Sequence, residues 1–190
     1  MEKSETSKTW PMLIIAGILA VTIILLRSQG RVWRHGCGRI LVWVGDAWNS
    51  HTSQHLFDPY SFTHVLHGLA FCGLLALLAS KLSLRWRLCV ALALEAAWEV
   101  FENSAFVINR YRAATVSLGY QGDSIVNSLG DIAACALGFA IAWRLGWRRS
   151  IILFLVTEVV LLWWIRDSLT LNIVMLIYPI EALKIWQLGH

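Results

Sequence analysis

The stretch that decides the fold is LCVALALEAAWEVFENSAFV, Leu88–Val107. At about 1.5 Å of rise per residue, it is long enough to cross a bilayer as a helix. It nevertheless carries Glu95, Glu99 and Glu102. Their i, i+4, i+7 spacing places all three on one helix face. A carboxylate at bilayer depth costs about 2.5–3.5 kcal/mol unless something compensates it. Three in one span therefore demand partners, protons, a metal ion or a water-filled cavity.

The surrounding chain supports a membrane setting. Of its 190 residues 57% are hydrophobic and only 15% charged, and 11 are tryptophan. That is the composition of one integral membrane domain over residues 1–190. The net charge of +4 comes from short basic clusters beside apolar runs, such as Lys81–Arg87 and Arg144–Arg149, as expected at lipid headgroups. It does not suggest a nucleic-acid partner. The four cysteines show no CxxC spacing, so neither a disulfide framework nor a zinc ribbon is indicated.

Hydropathy predicts an all-α polytopic membrane helical bundle with about five spans: 10–26, 63–79, 88–107, 124–143 and 151–165. A partial C-terminal helix is expected over 169–186, interrupted by Pro179. Ile40–Leu56 carries Val44, Trp48, His51 and His55 at helical spacing, which suggests an interfacial helix ending at Asp58-Pro59. Asp123 is a candidate N-cap for the fourth span. Gly130, Ala134 and Gly138 form a small-residue stripe suited to close helix approach. The two tight basic turns fall on the side of the N-terminus, which the positive-inside rule places in the cytoplasm; Arg27, Arg31, Arg34 and Arg39 after the first span argue the other way, but short loops weigh more in the rule. The polar site is then expected on the periplasmic side.

On this topology three neighbouring spans bring polar groups to one layer. His64 and His67 lie near the start of the second, Glu99 and Glu102 in the last half of the third with Glu95 deeper, and Asp123, Asn127 and Asp131 at the start of the fourth. Imidazole with carboxylate suits Zn, Mn or Fe, whereas all-oxygen ligation suits Mg. The expected metal ligands are His64, His67, Glu99, Asp123, Asn127 and Asp131, with His67, Glu99 and Asp131 as the inner set. Glu95 and Glu102 are the candidate catalytic bases. Arg110, Arg112, Arg166 and Asp167 lie at the rim, where arginine would hold an anionic head group bidentately. Plainer alternatives stand beside each of these. The cluster could be a protonated network that only fixes packing, the arginines interfacial anchors, His51 and His55 surface residues, and Glu158 a paired packing residue.

Four ordered blocks also carry a family resemblance: SQHLFDPYSFTHVLHG (Ser53–Gly68), EAAWEVFENSAFVINRYR (Glu95–Arg112), GYQGDSIVNSLGD (Gly119–Asp131) and RDSLTLNI (Arg166–Ile173). Together they resemble an uncharacterised family of small multi-pass inner-membrane proteins of alphaproteobacteria, catalogued as a family and domain of unknown function. The resemblance implies a cell inner-membrane location and brings no activity or catalytic residue with it. From the residues themselves, three functions stand open. The first is a membrane-embedded enzyme, with a divalent metal, acting on a lipid or lipid-linked substrate. The second is a small proton- or ion-coupled transporter, which a homodimer would complete. The third is a non-catalytic assembly factor. A cavity that crosses the membrane would favour transport, and one open on a single face would favour an enzyme.

Overall fold

The computed structural model describes residues 3–115 and 119–189. Among the described residues it is all-helical: α1 (Lys3–Ser28), α2 (Ser61–Leu78), α3 (Leu84–Glu102), α4 (Ala105–Ala114), α5 (Ile125–Leu145), α6 (Trp147–Ile165), α7 (Leu169–Ile177) and α8 (Glu181–Leu188). Three helices are long and apolar enough to cross a membrane: α1 over Trp10–Ser28, α2, and α5. The acidic α3 and the arginine-led α6 are less apolar. Even so, α6 exposes Ile151, Ile152, Leu155, Val156, Val159, Val160, Trp163 and Trp164. That i, i+1, i+4, i+5 recurrence is a continuous outward apolar stripe, the kind of surface that lipid rather than water covers.

α5 is the axis of the bundle. Within it 61% of the apolar stretch is buried, against 17% in α1, which lies at the periphery. α2 crosses α5 at backbone contact. A Cβ on Gly68 would overlap the Cys135 carbonyl, and one on Gly138 would overlap the Val65 carbonyl. Only glycine allows this approach, and in lipid such packing takes the place of hydrophobic drive. Leu92, Ala96, Ile132 and Cys135 seal α3 against α5, with Ile15, Ile18 and Leu19 of α1 behind them.

Several expected elements take a different form. Residues 40–56 form no helix. Trp43 makes an isolated bridge with Phe57, and Val44 N–H donates to the Phe57 carbonyl at 3.0 Å. Asp46 and Asn49 accept from the amides of Trp48 and His51 at 2.9 and 2.8 Å. Such Asx turns compete with the helical ladder, and here they win over an apolar periodicity that does look helical. The span expected to run to Val107 stops at Glu102. There the Asn103 side chain bonds back to the Glu99 carbonyl at 3.0 Å, and Ser104 caps a new helix by accepting from Val107 N–H. The cap of α5 is Ser124, not Asp123. Its hydroxyl accepts from Asn127 N–H, and Asp123 turns inward instead. Finally, residues 169–186 divide into α7 and α8 on either side of Pro179, which cannot continue a helix.

The irregular segment between α1 and α2 has a definite role. The Ser53, Val32 and Trp33 carbonyls accept the Ser124, Ile125 and Val126 amides at 2.9, 2.8 and 3.2 Å. Backbone groups that a helix N-terminus leaves open are thereby satisfied, and the segment is fixed over the start of α5. Its own corner is held by Asp58, whose carboxylate accepts from Ser53 N–H at 2.6 Å and Tyr60 N–H at 2.7 Å. Burial still pushes the Asp58 carboxyl above its ordinary range.

Candidate metal centre

The start of α2, the end of α3 and the start of α5 meet beneath this segment around a cavity of about 510 Å³. Antiparallel succession brings these ends together, and helical spacing aims the side chains inward. His64 is the hub. Its Nδ1 stands 2.5 Å from Glu95 Oε1 and 3.4 Å from Glu99 Oε1, and its Nε2 stands 3.8 Å from Asp131 Oδ2. His67 Nδ1 lies 2.9 Å from Glu95 Oε2. Glu95 and Glu99 have no solvent exposure at all.

Two sets of ligand atoms each fall within 4.8 Å of one another: His64, His67 and Glu95, and His64, Glu99 and Glu102. The first is a two-imidazole, one-carboxylate donor set. That combination holds catalytic zinc with a fourth position left for water, and it also suits Mn and Fe better than Mg. The second set shares His64. Both Glu99 oxygens are buried without a hydrogen-bond partner, an arrangement that calls for a cation or a proton. Glu102 is on the cavity wall, and its Oε1 accepts from the Tyr111 hydroxyl at 2.8 Å. Asp131, also on the wall, accepts from the Ser61 hydroxyl at 2.7 Å.

A second tier holds these groups in place. Asn103 Nδ2 donates to Asp123 Oδ2 at 2.8 Å, and Asp123 N–H donates to Asn103 Oδ1 at 2.7 Å. This reciprocal clamp ties the end of α3 to the start of α5. The Tyr120 hydroxyl donates to Asp123 Oδ1 at 2.9 Å. Burial raises the Asp123 carboxyl despite these donors, and burial together with Asp123 keeps the Tyr120 phenol protonated well beyond its ordinary range.

The sequence reading and the structure differ in detail here. The expected inner set of His67, Glu99 and Asp131 is not what converges. His64 is central, and Glu95, expected as a base, sits between the two imidazoles. Asp123 serves the clamp. Asn127 is buried, with its Nδ2 unpartnered. The rim residues do not gather at the cavity. Arg110 donates to the Leu176 and Ile177 carbonyls at 2.8 and 3.1 Å, Arg112 to the Tyr120 carbonyl at 2.5 Å, and Arg166 to the Trp186 carbonyl at 2.9 Å. Asp167 is buried and accepts from Ser168 N–H at 2.9 Å. Among the described residues no lysine or arginine lines the cavity. Sequence reasoning also passed over Ser61, Asn103, Tyr111 and Tyr120. Asn103 was the one with a visible signal, a polar residue directly after the glutamate-bearing face.

The chain has clear relatives. A family model described as "Protein of unknown function (DUF2585)" matches residues 26–189. A UPF0314 protein of Rhizobium meliloti is 44% identical over 188 residues, covering 99% of this chain and 95% of that protein. One of Paracoccus denitrificans is 47% identical over 151 residues, covering 80% of this chain and 78% of that protein. One of Sphingopyxis alaskensis is 40% identical over 177 residues, covering 93% and 94%. No solved structure matches the chain. Matched over most of its length by the model and end to end by such relatives, the chain belongs to the DUF2585 family, among the UPF0314 proteins.

Proposed function

We propose that this protein is a multi-pass inner-membrane enzyme that uses a divalent metal to act on a lipid or lipid-linked substrate. The observation that carries it is the meeting of His64, His67 and Glu95 within 4.8 Å, with both histidines on the wall of the 510 Å³ cavity. An ion held there would lower the pKa of a bound water toward about 7 and supply a nucleophile. Glu102, on the same wall and oriented by Tyr111, is placed to accept the proton. Glu95 would complete the donor set with the two imidazoles, and Glu99 would supply buried negative charge to balance the ion.

The shape of the cavity favours an enzyme over a transporter. Its lining reaches no deeper than His67 on α2, Trp98 on α3 and Asp131 on α5. A space confined to one end of the bundle offers access from one face. The α7 side chains Leu169, Ile173 and Leu176 provide an apolar wall that suits an acyl or isoprenoid chain. With the arginines committed to backbone carbonyls, the polar part of the substrate meets carboxylates, hydroxyls and amides. Hydroxyl-bearing or neutral head groups fit that lining, and an anionic group would have to reach the ion itself.

Deleting the gene and comparing total lipid extracts by mass spectrometry tests this. A lipid class should accumulate in the deletion strain. The wild-type gene should restore the profile, and Glu102→Gln, expressed to the same level in the membrane, should not. An unchanged lipid profile, or full restoration by Glu102→Gln, would overturn the proposal.

A further inference from the structure

A separate cluster lies in the irregular segment between α1 and α2. One ligand atom from each of His35, Cys37, His51 and His55 falls within 4.8 Å of the others. The His35 and His51 ring centroids are 4.2 Å apart, and the His51 and His55 rings stack at 5.1 Å. His51 Nδ1 and His55 Nε2 are separated by 2.8 Å. His55 is buried and is anchored at Nδ1 by the Leu41 amide at 3.2 Å. Burial and the neighbouring His51 and His35 push the His55 imidazole below its ordinary pKa.

We propose that His35, Cys37, His51 and His55 form a second metal site, which takes one thiophilic transition ion of the Zn²⁺ class. A thiolate with imidazoles is the donor set that tetrahedral zinc uses in closed, structural sites. With metal–nitrogen bonds of about 2.0–2.1 Å, tetrahedral geometry holds two ligating nitrogens about 3.3 Å apart. The His51–His55 pair has to open by only about half an ångström to accept an ion. On ligation the Cys37 thiol gives up its proton to solvent. The proton between His51 and His55 moves to His55 Nδ1; the Leu41 amide and that Nδ1–H are then both donors, so the loop has to part there and one water would accept from both.

The site would act on the roof of the cavity. His35 and the neighbouring Trp48, Thr52, Ser53 and Gln54 all line that cavity, and the same segment supplies the carbonyls that hold the start of α5. An ion tying residue 35 to residue 55 would close this loop on itself and fix the entrance. It would be structural, and it does not depend on the intramembrane site holding a metal.

Cobalt substitution tests the proposal on the detergent-purified full chain. Titration of metal-stripped protein with Co²⁺ should produce a thiolate-to-cobalt charge-transfer band. Cys37→Ser should abolish that band, and His51→Ala should weaken binding at least tenfold, while Glu95→Gln should leave the band unchanged. Zn²⁺ should raise the thermal midpoint of the Glu95→Gln protein but not that of a Cys37→Ser, Glu95→Gln double variant. Absence of a thiolate band in the wild type would overturn the site. So would a band that survives in Cys37→Ser, because the thiolate would then belong to Cys72, Cys89 or Cys135.

Discussion

Two buried carboxylates on apolar helices, Glu158 and Glu99, have opposite surroundings. Glu158, on α6, accepts from the Ser168 hydroxyl at 3.1 Å, the Leu169 amide at 2.9 Å and the Thr170 amide at 3.1 Å. It closes the N-terminus of α7 and its charge is met by that helix end. Among the described residues, Glu99, on α3, has no hydrogen-bond partner at either oxygen, and the His64 ring stands 3.4 Å away. The first is a finished structural joint. The second is a buried acid whose hydrogen-bonding requirement the described residues leave unmet, and it lies where two imidazoles converge with further acids. Burial alone does not single out a candidate site carboxylate in an apolar helix; an unmet hydrogen-bonding requirement beside convergent ligands does.

The contrast breaks most visibly in metal affinity. Glu95→Gln removes the carboxylate shared by His64 and His67 and should weaken metal binding at the His64/His67/Glu95 site by about 10–100-fold, read by isothermal titration with Zn²⁺. Glu158→Ala should leave that affinity unchanged.

Stability should show the reverse order. Glu158→Ala strips charge-assisted bonds from the start of α7 and should cost about 2–3 kcal/mol, measured as unfolding in mixed detergent. Asn103→Ala opens the clamp with Asp123 and should cost about 1–3 kcal/mol, because it leaves that carboxylate buried with fewer donors. Glu99→Gln loses no hydrogen bond and should change stability by less than about 1 kcal/mol. A Glu99→Gln protein that unfolds as readily as Glu158→Ala would erase the distinction.

The smallest effect is a pH dependence at the α6–α7 corner. Burial, with Glu158 nearby, raises the Asp167 carboxyl to about 7. The folded state therefore binds this proton more tightly than the unfolded chain does. Its contribution to stability is fully present below the ordinary carboxylate pKa and declines as pH rises through about 7. Amide exchange in α7 should accordingly be slower at pH 5.5 than at pH 8 once corrected for intrinsic rates, and Asp167→Asn should flatten the difference.

How much of this was legible in the sequence follows from the range of the forces involved. Apolar length and glutamate spacing are local, and they placed α1, α2, α3, α5 and α6 and brought His67, Glu99, Glu102, Asn127 and Asp131 to one layer; Glu95, read from the sequence as deeper, stands beside His64 and His67. The Gly130–Gly138 stripe was legible for the same reason, and Gly138 does meet the backbone of α2. What escaped depends on competition between local and distant partners. Residues 40–56 have a helical apolar pattern, yet Asp46 and Asn49 capture backbone amides first. Arg110 and Arg166 looked free to bind an anion because the carbonyls they hold, at Leu176 and Trp186, become neighbours only through tertiary folding. The choice of His64 over His67 as the hub turns on which face of α2 meets α3 and α5, and spacing alone does not say this.

The account depends most on an ion at the His64/His67/Glu95 centre, and elemental analysis of chelator-free, detergent-purified protein tests it directly, with every preparation carrying Cys37→Ser to remove the loop site. About one equivalent of zinc, manganese or iron should co-purify with this background protein and be missing when Glu95→Gln is added, while Glu158→Ala retains it. A folded background protein that contains none of these metals and takes none up on titration would contradict it.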